Sequence, residues 1–295
     1  MSREKVKQVI VEYYTFSLSG ESKKSTFDLI SDLIVDKKSY QEKRDNSFGL
    51  RDVRASRSGN IINGVFAKYR KNNLPKIGAV GADGERPIDL SPDEALLEKN
   101  HFLIVRNRNL IVYQKNGNGS AAEYLAEHLT NLIRQEGMEN LLSFSPVPDY
   151  GDFIEILSRG QPKRIEFKLA RPSSAVIGKA ADDLNGAVAK LFAGTDGLNL
   201  RCALTPDRHQ VLNKRGVLAL FKSLFSGGNT VVAAKAVMLD DDGHYRHPVN
   251  LITKTITDVI EVKMDGRYPD QEDIQSKLLG AYDGRRELFQ EILAS

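Results

Sequence analysis

PDYGDFIEILSRGQPKRIEFKL, residues 148–169, is the stretch whose reading decides the fold. An apolar run at 153–158 breaks at Arg159-Gly160-Gln161-Pro162 and resumes as a period-two alternation from Arg164 to Leu169. Such a pattern around a Gly/Pro break reads as a β-hairpin, hence as part of an antiparallel sheet. Asp149 and Asp152 stand at its entrance, and Glu166 and Lys168 lie two apart on its second strand, so they share a face.

Outward from this stretch, the chain alternates strand-like and helix-like runs. Residues 6–18, rich in β-branched and aromatic side chains, read as a first strand. Ser25 or Thr26 caps a helix whose apolar face is Phe27, Ile30, Leu33 and Ile34. Residues 49–71 alternate as antiparallel strands, and 72–99, with its glycines and prolines, is mostly loop. A hairpin around Arg106-Asn-Arg-Asn109 leads to a helix over 121–135, opened by a capping box of Ser120 and Glu123 and stopped by Gly137. Beyond it the pattern predicts a helix at 180–192, a strand at 198–204, a helix at 210–225, a hairpin turning at 240–243 and a final helix at 270–293. The class is α+β, antiparallel sheets with packed helices, in two domains: residues 1–137, and residues 138–295 with an acidic terminal helix.

Composition narrows the function. The 295 residues are 41% hydrophobic and 27% charged, enough for a substantial core. A single cysteine, Cys202, excludes an intramolecular disulfide and a cysteine-rich zinc module, as expected of a reducing cytosol. No apolar run reaches the length of a membrane span, and the start Met1-Ser-Arg-Glu-Lys5 lacks a signal peptide's apolar core, so a cytoplasmic location is expected. There is no Walker or dinucleotide loop and no nucleophile triad spacing, so no small-molecule substrate and no cofactor are expected.

Two chemistries compete for the 148–169 stretch. Pro148-Asp149 with Glu166-x-Lys168 matches the PD-(D/E)xK nuclease pattern, in which two acids hold Mg²⁺ and the lysine orients the attacking water. The catalytic set would be Asp149, Asp152, Glu166 and Lys168. Acid-x-Lys also occurs at Glu21, Asp36 and Glu261, and a cross-strand ion-pair face gives the same tripeptide. His244 and His247 after Asp240-Asp-Asp242 are residue types that bind metals, but the same string is an ordinary turn. His101, His128 and His209 are isolated.

The second chemistry is polyanion binding. Between Arg51 and Lys76 there are seven Lys/Arg and one acid, whereas 240–295 holds twelve acids and seven Lys/Arg. Such segregation suits phosphate neutralisation. The candidates are Arg51, Arg54, Arg57, Lys68, Arg70 and Lys71 in the first half, and Lys163, Arg164, Arg171, Arg208, Lys214 and Arg215 in the second. No aromatic platform for stacking single strands, no zinc finger and no helix-turn-helix is legible. A third reading makes the acidic region 258–291 a protein-interaction module.

The element order resembles the RexA-type phage-exclusion, or abortive-infection, proteins, diffusely but over most of the chain. The points of likeness are residues 10–18 with the helix at 27–34, the hairpin and helix HFLIVRNRNLIVYQKNGNGSAAEYLAEHL from His101, and FIEILSRGQPKRIEFKLARP from Phe153. The longer loop at 72–99 departs from it. The resemblance implies a homodimer that binds duplex DNA with little sequence preference in phage defence, alongside a membrane-protein partner. It carries no catalytic residues.

Overall fold

A strand buried on both faces must be covered on both. In β1 (Val6–Ser19), Val9, Val11 and Tyr13 are buried toward one side, and Tyr14, Phe16 and Leu18 toward the other. The computed structural model describes residues 5–19, 22–43, 46–81, 83–147, 149, 155, 157, 160–170, 190–191, 199–207, 210–226, 230–239, 248–251, 255–266 and 268–292. Among them, every strand pairing is antiparallel.

At 14 residues β1 is long enough to take two partners in tandem along one edge. Val6–Glu12 pairs with β14 (Thr257–Asp265), and Tyr14–Ser19 with β9 (Leu141–Pro146). Its other edge pairs with β8 (Leu110–Lys115), from which the sheet runs through β7 (Leu96–Val105), β4 (Ile61–Arg70) and β3 (Asn46–Ala55) to the edge strand β2 (Ser39–Lys43). β15 (Tyr268–Pro269) closes the far end. A short hairpin of β5 (Ile77–Gly78) and β6 (Glu85–Arg86) lies in the expected loop.

Helices cover both faces of this sheet. α1 (Thr26–Ile34) and α2 (Ala122–Gln135) bury Phe27, Ile30, Ile34, Leu125, Leu129 and Ile133 against Phe48, Phe66, Phe102, Ile104 and Tyr113. On the opposite face α4 (Gln271–Gly284) and α5 (Arg286–Ile292) set Leu278, Tyr282 and Phe289 on Val11, Tyr13, Leu103 and Val112. The Ser25 hydroxyl accepts from the Asp28 amide and caps α1 as expected. The capping box expected of Ser120 and Glu123 does not form. Ala121 is the N-cap, and the Ser120 backbone is held by the Asn100 and Tyr113 side chains instead.

The second sheet has the order β11 (Asn199–Leu204), β10 (Gln161–Ala170), β12 (Thr230–Leu239), β13 (Val249–Asn250). α3 (Lys214–Ser226) packs Val217 and Phe221 on Ile165, Phe167, Ala234 and Ala236. The hairpin expected over 148–169 is not what builds it. Glu155 and Leu157 are helical, and β10 has both edges occupied, by β11 and β12. Gly160 marks a close approach, since a Cβ there would lie 2.4 Å from the Leu239 carbonyl oxygen.

The antiparallel α+β character follows the sequence. The boundary placed near Gly137, dividing 1–137 from 138–295, does not coincide with a division between sheets: β9 and β14 follow Gly137 in sequence yet pair with β1. Among the described residues, no helix is long and apolar enough to cross a membrane.

Candidate nucleic-acid interface

Alternation along β10 divides its side chains cleanly. Ile165, Phe167 and Leu169 are buried beneath α3, which turns Arg164, Glu166 and Lys168 to the outer face. Register adds residues from both neighbours: Lys168 stands opposite Arg201 of β11, and Glu166 opposite Lys235 of β12. Paired strands lie about 5 Å apart, so one patch of sheet gathers Arg164, Lys168, Arg201 and Lys235. Its one acid is engaged, because the Arg164 guanidinium donates to Glu166 Oε1 at 2.7 Å. Both groups are partly exposed, so the pair contributes little to stability. Lys168, Arg201 and Lys235 have no carboxylate partner among the described residues. Arg201 and Lys235 escaped the sequence reading, since only strand pairing brings them beside β10.

Of the other second-half candidates, Lys163, Lys214 and Arg215 gather at one end of this unit. The Lys163 ammonium donates to the Gln210 carbonyl at 2.5 Å, and the Leu212 amide to the Pro162 carbonyl at 2.8 Å. Lys214 and Arg215 open α3, where Asn213 Oδ1 accepts from the Arg215 amide at 2.9 Å. α3 covers the apolar face, so these two lie in the layer opposite the Arg164 patch. Arg171 and Arg208 fall outside the described residues.

Residues 4–289 match DUF6731, a family of unknown function. The chain belongs to that family. No curated protein matches it in sequence.

The first-half cations of this DUF6731 chain do not form one surface. Arg51 sits opposite Val65 and Arg54 opposite Asn63, on the sheet face that α4 covers in part. Arg57 lies in the turn that follows. Lys68, opposite Phe48, and Arg70, opposite Asn46, point to the other face, with Lys71 just beyond. On the Arg51 side Tyr40 and Tyr69 meet edge to face with centroids 5.8 Å apart.

Of the residues of the nuclease pattern, Glu166 and Lys168 share the outer face of β10. Asp149 instead lines a cleft of about 250 Å³ with Thr255, Thr257, Arg285 and Leu288, close enough to Arg285 to favour its charge. Asp152, His209, His244 and His247, with the 240–243 turn, lie outside the described residues. Among the described residues no three His, Cys, Asp or Glu side chains come together as a cation would require.

Beside that cleft, Asp258 accepts the Tyr13 hydroxyl and is clamped by Arg285. Burial opposes its charge, yet the hydrogen bonds from Arg285 and Tyr13 hold the carboxyl below its ordinary range. His101 and His128 are tied into the fold by hydrogen bonds. His101 Nδ1 meets Gln114 Oε1 at 2.7 Å, His128 Nε2 meets Ser39 Oγ at 2.7 Å, and burial lowers both pKa values. Cys202 packs against the second core, where burial pushes its thiol up and away from reactivity.

Proposed function

We propose that this protein binds double-stranded DNA without sequence preference through the outer face of the β11-β10-β12 sheet. The observation that carries the reading is the cross-strand alignment of Lys168 with Arg201 and of Glu166 with Lys235, which concentrates cations from three strands on one exposed face. Phosphates spaced along a duplex release counterions to such a face, and contacts to the backbone carry no sequence information. Lys163 adds a cation at one end of the unit, whereas Lys214 and Arg215 lie in the opposite layer. In this reading the second sheet with α3 is a separate domain, set into the chain between β9 and β14. The resemblance to RexA-type proteins supports a homodimer acting in phage exclusion in the cytoplasm, alongside a membrane partner.

A mobility-shift series with a short duplex, at rising salt and with or without Mg²⁺, tests this. Lys168→Ala, Arg201→Ala and Lys235→Ala together should abolish the shift at moderate salt. They should also flatten the salt dependence by roughly 0.9 of log–log slope per lost phosphate contact. Arg51→Ala with Arg54→Ala should leave the shift in place. Equal binding by the triple variant would remove the sheet face from the interface. Mg²⁺-dependent cutting lost in Glu166→Ala would install the nuclease instead.

A further inference from the structure

We propose that the cleft at the β2 edge of the large sheet holds an unpaired base of single-stranded nucleic acid, a site separate from the duplex-binding face. Four strands align Tyr40, Gly49, Ala67 and Lys99 in one cross-strand row. Gly49 is required there, since a Cβ would lie 2.6 Å from the Ser39 carbonyl oxygen and 3.5 Å from the Tyr69 ring. At the Tyr40 end of this row a cleft of about 450 Å³ is lined by Lys38, Ser39, Tyr40, Leu50, Arg51, Asp52 and Tyr69, and falls within the roughly 300–1,000 Å³ of ligand pockets.

Tyr69 props Tyr40 edge to face, at 65° between ring planes, so Tyr40 is held in place while 52% of it remains exposed. A fixed, exposed ring is a stacking platform, and stacking accepts any base. The rim supplies the second half of a nucleotide site. Lys38 and Arg51 are exposed and have no carboxylate partner among the described residues. The nearest acid, Asp52, is occupied by the Gln271 amide at 3.1 Å. Aromatic floor and cationic rim together favour a base with its phosphate over an apolar peptide side chain, which would leave the cations unanswered. A base inside a duplex is stacked and paired, so it cannot enter the cleft.

The chain has ten tyrosines and no tryptophan, so its intrinsic emission comes from tyrosine, and the share quenched by a stacked base is read by comparison with the Tyr40→Ala, Tyr69→Ala variant. Titration with a short oligo-dT should quench that emission saturably. Tyr40→Ala with Tyr69→Ala should weaken oligo-dT binding about tenfold or more while leaving duplex affinity within about twofold. Tyr40→Phe with Tyr69→Phe should retain oligo-dT binding, because the ring and not the hydroxyl stacks, and this pair controls for folding. An oligo-dT carrying 5-iodouracil should photocrosslink to Tyr40 or Tyr69. The proposal is overturned if oligo-dT does not bind, if the alanine pair binds it unchanged, or if its binding disappears only in the Lys168, Arg201 and Lys235 variant. Duplex binding can fail with this site intact, and the reverse also holds.

Discussion

The Tyr13 hydroxyl donates to Asp258 across 2.5 Å, and the Arg285 guanidinium grips the same carboxylate through Nη2 at 2.7 Å. Three segments distant in sequence, β1, β14 and the junction of α4 with α5, thereby meet at one charge. Tyr13 is fully buried and packs on Phe289 at 4.9 Å between centroids, so removing Asp258 takes away the acceptor its hydroxyl is held against. Asp258→Ala is expected to destabilise the fold by about 2 kcal/mol, the scale of a buried donor left without its acceptor. Tyr13→Phe, which removes donor and demand together, should cost less. Urea unfolding of both variants decides the order.

The same carboxylate gives a pH dependence. Its folded pKa is depressed, so the stability it contributes is full above the unfolded carboxylate value and is lost as pH falls through the folded value. In Asp258→Asn the melting temperature should fall less between neutral pH and the acid range than in the wild type. An unchanged slope would mean that Asp258 carries no native charge coupling.

His128 makes a pH prediction in a higher window. Burial lowers its pKa to about 4, and the residue is 2% exposed with Nε2 on Ser39. An unfolded histidine takes up its proton near pH 6.5, so between about 6.5 and 4 the unfolded state binds more protons and stability falls as pH falls. The gap corresponds to about 3 kcal/mol at its full extent. His128→Gln should be less stable at neutral pH but should flatten the stability curve between pH 6.5 and 4, read by thermal melts across that range.

What was legible in the sequence is what period and punctuation encode. β1, the β7–β8 hairpin and the amphipathic α2 stand where the pattern places them, because each buries a face that alternation or helical spacing alone defines. The short run around Glu155 and Leu157 did not yield, since a few apolar residues fit a buried strand or one helical face equally well. The Ser120 cap failed because Asn100 and Tyr113, contributed by the neighbouring hairpin, claim its backbone first. For the binding face, Arg164 was within reach of sequence reasoning, whereas Arg201 and Lys235 come from strands whose register with β10 no local pattern states. The Tyr40–Tyr69 contact escaped it for the same reason, as its rings come from β2 and β4 with β3 between them.

Gly160 offers a check on how β10 enters its sheet. A methyl group there would press on the Leu239 carbonyl oxygen at 2.4 Å, a backbone contact that no rotamer change relieves. Gly160→Ala should destabilise by about 1–3 kcal/mol, the usual range for forced overpacking. Because β12 must move with Leu239, duplex affinity should fall as well. Retained stability would show that the start of β10 is free to shift.

The sharpest separation of binding from catalysis lies in Glu166. It is the one acid on the outer face of β10, and its bond to Arg164 withholds a guanidinium from any phosphate. Neutralising it as Glu166→Gln removes a negative charge from the path of the duplex and releases Arg164, at little cost in stability because the pair is half exposed. Duplex affinity should therefore rise, by about threefold at low salt, and the gain should shrink as salt screens the face. Fluorescence anisotropy of a labelled duplex against wild type and Glu166→Gln reads the sign directly. Weaker binding would mean that Glu166 positions Arg164 for contact, and loss of Mg²⁺-dependent cleavage would identify the carboxylate as a metal ligand.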